Sequence, residues 1–192
     1  MKAAEISEWD ATLRATRKIQ DKLQRPLDRG IITAVAGLRH LGFDTTSSCF
    51  GHFDRITGGP YIVIQPLEAV QFTHSIPKGK ENTPAARKIR KKANKIRASE
   101  LRRLLLVLND FYKSNPEAIG ALIVQSLPQT YISISAQTAD TAYGEKKVQQ
   151  RRILESNRRL FVALGSYLEA LALDAADRQS TESIHPLRTQ HR

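Results

Sequence analysis

The chain has 192 residues, with 30 Lys and Arg against 19 Asp and Glu, a net charge of +11 and 41% apolar residues. That length suits one domain, since domains commonly run to about 100–150 residues, and the apolar share is enough for a packed core. The one cysteine, Cys49, excludes an internal disulfide framework and any zinc site built on two or more cysteines, and no apolar run approaches the roughly 20 residues of a membrane span.

Met1 to Asp10 carries Glu5, Glu8 and Asp10 and no apolar stretch, so it does not read as a secretory signal, and a cytoplasmic protein without a membrane anchor is expected. Ser7 followed by Glu8 and Asp10 predicts a helix start, continued by Trp9, Leu13, Ile19 and Leu23 as far as Gln24. After Pro26 a second helix is expected from Leu27 to Leu41, with Gly42 just past its end. A loop of small residues, Thr45 to His52, follows, and Gly58-Gly59-Pro60 marks a turn. Tyr61 to Ile64 reads as a strand closed by Pro66.

Thr83-Pro84 has the form of an N-cap with proline at the first helical position, and opens a long helix over about 84–112 that Asn115-Pro116 ends. Ala121 to Gln125 and Tyr131 to Ala136 read as a hairpin of two strands. A last long helix is expected over about 145–175, with Leu154, Phe161, Leu164, Leu168 and Leu171 as its stripe. A polar tail over 179–192 is expected to be mobile. These elements predict a single α+β domain over 1–178. Its small antiparallel or mixed sheet, of about three or more strands, would be covered by long amphipathic helices.

The charge is unevenly placed. Between Lys78 and Arg103 eleven basic residues meet two acidic ones, a surplus of nine, and between Glu145 and Arg159 the surplus is four. Two basic helical segments on a near-neutral body suggest a directed positive face, with Arg87, Lys88, Lys91, Lys92, Lys95, Arg151 and Arg152 as candidate phosphate contacts. With only 6% aromatic residues, a base-stacking platform is not expected.

Chemistry is concentrated in Thr45-Thr46-Ser47-Ser48-Cys49-Phe50-Gly51-His52, followed by Asp54 and Arg55. Cys49 and His52 could form a nucleophile and base, because a thiol needs a nearby base or cation to become a thiolate. The same pair could bind a metal with His74 or Asp54, although one CxxH is a weak zinc signal and no metal is assigned. Thr46, Ser47, Ser48, Asp54 and Arg55 could hold a substrate or anion through hydroxyls, amides and charge. A buried, unreactive cysteine beside a turn-fixing histidine is the structural alternative.

The run from Phe43 to Ile64 resembles two families. One is a set of uncharacterised bacterial proteins with a Ser-Cys-x-Gly-His loop, matched here by Ser48, Cys49, Gly51, His52, Asp54 and the strand led by Pro60. The other is the wybutosine-synthesis methyltransferase family, which modifies a tRNA guanosine derivative with S-adenosylmethionine. Its loop is similar to Thr45-Thr46-Ser47-Ser48-Cys49-x-Gly51, with a basic residue where this chain has His52. The second resemblance implies an RNA-directed, tRNA-modification-like enzyme, and leaves the cofactor of this chain unknown.

Three functions follow as expectations. The first is a basic protein associated with RNA or another polyanion that uses a Cys/His loop. The second is a non-catalytic binding or assembly protein whose leucine stripe seats a partner helix, with homo-oligomers formed through the long helices. The third is a small-molecule enzyme with a Cys49/His52 site.

Overall fold

The computed structural model describes residues 7–21, 23–52, 59–127, 131–139 and 145–182. Along the chain run α1 (Glu8–Arg17), α2 (Ile32–His40), β1 (Thr45–Cys49), β2 (Tyr61–Ile64), α3 (Leu67–His74), α4 (Pro84–Ser114), β3 (Leu122–Ser126), β4 (Ile132–Ala136) and α5 (Lys147–Glu182). The expected α+β class is what the chain adopts. Its four strands form one antiparallel sheet in the order β1-β2-β4-β3.

The register explains the core. Ile62 pairs with Ile134, Ile64 with Ile132, and Leu122 with Ala136, so these side chains share one face of the sheet. Val35 and Leu38 of α2, Leu104, Leu108 and Phe111 of α4, and Phe161, Leu164 and Leu168 of α5 close over that face. The other face carries Ser47, Cys49, Tyr61, Val63, Ser133 and Ser135, which pair across the strands in the same register.

Several expectations change. The first helix ends at Arg17, short of Gln24, because Asp21 organises a turn of its own. Its carboxylate accepts from the Leu23 and Arg25 amides at 2.8 and 2.9 Å, an alternative to helical hydrogen bonding. The second helix begins as a 3-10 turn at Arg29–Ile31 and becomes α-helical at Ile32. Gly42 closes it as expected, at φ +79°, with the Phe43 amide returned to the Leu38 carbonyl at 2.9 Å. Leu67–His74 forms a helix where none was expected. Pro66, read as a strand terminator, is also that helix's N-cap.

The run Thr45–Cys49, expected as a loop, is an edge strand paired to β2 with an irregularity between Thr45 and Ser47. Small hydroxyl residues suit an edge, where one side of the backbone is left to solvent or a loop.

The two long helices are 31 and 36 residues, about 46 and 54 Å, longer at their C-terminal ends than expected. Gln179–Glu182, expected in the tail, belong to α5, and 183–192 lie outside the described residues. Helix α5 lies mainly on α2, and α4 mainly on α3 and under the sheet. They touch where the Phe111 and Tyr167 rings meet edge-on at 5.6 Å. Of the stripe offered to a partner helix, Leu154, Phe161, Leu164 and Leu168 are buried within this chain and Leu171 is half-buried.

No helix of the described residues is long and apolar enough to cross a membrane.

Candidate functional site

The end of β1 positions the site. Strand alternation splits the hydroxyl run. Ser47 and Cys49 point to the side shared with Val63 and Tyr61, whereas Ser48 faces the core opposite Ile62. Thr46 and Ser47 are exposed, and the Ser48 hydroxyl is buried with no hydrogen-bond partner among the described residues. Ser47 and Ser48 therefore do not face one ligand together, because consecutive strand residues point to opposite sides. Asp54 and Arg55 lie outside the described residues.

The chain then turns through Phe50, Gly51 and His52. Gly51 is buried at φ +83°, a left-handed conformation that a side chain would strain. Its amide donates to Cys49 Sγ at 3.3 Å. This turn brings Cys49 and His52 together, as the spacing suggested.

Asp28, which sequence reasoning missed, joins them. It stands at the N-cap of the 3-10 turn before α2, but its carboxylate makes no capping bond there. Instead Oδ2 reaches across the chain to accept the Phe50 amide at 2.9 Å and lies 3.9 Å from His52 Nε2. One donor atom from each of Asp28, Cys49 and His52 falls within 4.8 Å of the others, and all three residues are half-buried. Asp28 follows Pro26-Leu27 and looks like any capping Asp. No local signal separates it, since its partner is 22 residues away.

The second residue missed is Arg158 of α5. Its Nε donates to the Phe50 carbonyl at 3.1 Å and an Nη to the Gly51 carbonyl at 2.7 Å, while the guanidinium lies 5.2 Å from the centre of the Phe50 ring. The planar fork of arginine matches two successive carbonyls, so α5 holds the turn from outside. The Phe50 ring also packs against Gly30, where even a methyl group would overlap it. Phe50, Glu155, Arg158, Arg159, Val162 and Ala163 line an open cleft of about 460 Å³ beside this turn.

The basic candidates fall on two surfaces. On α4, Arg87, Lys88, Lys91, Lys92 and Lys95 are exposed and, at 100° per residue, occupy an arc of about 140°. The buried residues Ala86, Ala93, Leu104, Leu108 and Phe111 lie on the opposite side of the helix. Lys92 also sits 3.9 Å above the Phe72 ring of α3. Not every arginine of the segment is available to a ligand. Arg103 donates to the Leu41 carbonyl at 2.6 Å, pairs with Glu100 at 2.8 Å and stacks on Phe43, which makes it a structural residue.

On α5, Arg151 and Arg152 are exposed, and Arg151 lies seven residues, about 10 Å, before Arg158 on the same line of the helix. Arg158 joins the basic helix to the Cys49 loop, since it stands on α5 and holds the Phe50 and Gly51 carbonyls.

Of the remaining histidines, His74 ends α3 and is exposed, and it is not part of the Asp28–Cys49–His52 group. His40 packs edge-on to Trp9 at 5.9 Å. No protein-family model, curated protein or solved structure matches this chain. The functional reading therefore rests on the geometry of the site.

Proposed function

We propose that this protein binds RNA through the basic faces of α4 and α5 and presents the Cys49–His52 turn beside the bound strand, in the manner of a tRNA-modifying protein. The observation that carries the reading is the placement of charge. Five exposed cations share one face of α4, and on α5 Arg151 lies in line with the arginine that grips the turn. Contacts of this kind are to phosphate. They fix position and give an affinity that falls steeply with salt.

The test is fluorescence anisotropy of a labelled tRNA transcript across a salt series, with wild type, Lys91→Glu/Lys95→Glu and Arg151→Glu/Arg152→Glu. Each lost phosphate contact should reduce the slope of log affinity against log salt by about 0.7–0.9. Salt-independent binding, or charge-reversed variants that bind as wild type does, would remove the proposal.

A second reading is a small-molecule enzyme in which Cys49 is the nucleophile, His52 its base and Asp28 the group that orients the imidazole. The convergence of thiol, imidazole and carboxylate favours it. It expects Cys49 to be alkylated by iodoacetamide faster than a model thiol, and His52→Ala to slow that reaction. A Cys49 no more reactive than the model thiol would end this reading.

A further inference from the structure

The separation of His52 from Asp28 suits a shared ligand better than a direct hydrogen bond. A hydrogen bond between His52 Nε2 and Asp28 Oδ2 would need about 2.7–3.2 Å, and the atoms are 3.9 Å apart. Around a tetrahedral zinc ion, with bonds of about 2.0–2.3 Å, neighbouring donor atoms lie about 3.4–3.6 Å from one another. The three donor atoms all lie within 4.8 Å of one another, and the 3.9 Å between His52 Nε2 and Asp28 Oδ2 is within a few tenths of an ångström of such an edge.

The surroundings have the form of an outer shell around a metal. The Phe50 amide is bonded to the Asp28 carboxylate and the Gly51 amide to the Cys49 sulfur. Both bonds hold the donor atoms in orientation. Arg158 in turn fixes the two carbonyls of the same turn.

We infer that Asp28, Cys49 and His52 form a binding site for a zinc-type divalent cation. The donor set is one thiolate, one imidazole and one carboxylate. Such a set selects a borderline-soft ion such as Zn²⁺ or Co²⁺ over Mg²⁺ or Ca²⁺, which prefer oxygen alone. Among the described residues the site has three protein ligands, which leaves a fourth tetrahedral position for a further donor, such as water or an atom of a substrate. The inference does not depend on RNA binding.

The test is titration of the full chain with Co²⁺ and then Zn²⁺, followed by absorption spectroscopy and thermal unfolding. One equivalent of Co²⁺ should give a thiolate-to-cobalt charge-transfer band that Zn²⁺ displaces and excess Mg²⁺ does not, and Zn²⁺ should raise the melting temperature. Cys49→Ser should abolish the band. Asp28→Asn and His52→Ala, which retain the thiol, should each weaken binding by more than about tenfold. His74→Ala should leave it unchanged. Absence of the band in wild type, uptake shared equally by all variants, or dependence on His74 would each overturn the inference. If Cys49→Ser fails to fold, the Asp28→Asn and His52→Ala affinities decide the matter alone.

Discussion

Arg158→Met removes the two bonds that tie α5 to the turn while keeping much of the side chain's length and its packing on Phe50. Hydrogen bonds to charged groups contribute about 1.5–3 kcal/mol each. The two here are 3.1 and 2.7 Å, one to the half-buried Phe50 carbonyl and one to the carbonyl of buried Gly51. Water recovers part of the first, so the pair should be worth about 2–3 kcal/mol. At 1.4 kcal/mol per factor of ten, the turn should open about 30- to 150-fold more often. Native-state hydrogen exchange reads this at the Phe50 and Gly51 amides, whose acceptors are Asp28 and Cys49. Arg158→Lys should fall between the two, because a single ammonium cannot span both carbonyls as the guanidinium does. A change in protection of less than about threefold at both amides in Arg158→Met would refute the role assigned to this residue.

Two further outcomes concern stability. Gly37 of α2 lies so close to α5 that a methyl group there would overlap Leu168 Cβ and stand 3.2 Å from its Cδ1. Gly37→Ala should therefore destabilise the protein although alanine is the better helix former by about 1 kcal/mol. A net loss of about 1–2 kcal/mol from overpacking would lower the melting temperature by about 2–8 °C, and a rise would contradict this close helix crossing. Tyr112 and Tyr167 have phenol pKa values raised above 10.0, chiefly because burial disfavours the phenolate. The stability they contribute is fully present below pH 10 and is lost as pH rises through the raised values. Alkaline unfolding followed by circular dichroism should accordingly be less pH-dependent in the Tyr112→Phe/Tyr167→Phe variant.

The elements whose cause is local were legible in the sequence. The N-cap at Thr83-Pro84 started α4 as read, since the Thr83 hydroxyl accepts the Ala86 amide at 3.2 Å. The β-branched run Tyr61–Ile64 formed a strand, and Gly42 ended its helix. The pairing of Cys49 with His52 was also legible, because a short turn around Gly51 is enough to produce it.

Local pattern could not decide what depends on distant partners. Thr45–Cys49 is a strand because β2 is available to pair with it, and that pairing sends its hydroxyls to opposite faces. The stripe of α5 is a core face because α2 lies against it. Asp28 and Arg158, 22 and 108 residues from Phe50, complete the site through backbone bonds that carry no sequence signature. By itself the sequence determined an α+β chain with a surplus of charge on two helices and a reactive-looking turn between a helix and a strand. Tertiary structure decided that the second basic helix and the turn are joined. Their connection is a guanidinium spanning two carbonyls, and only folding brings those groups within reach.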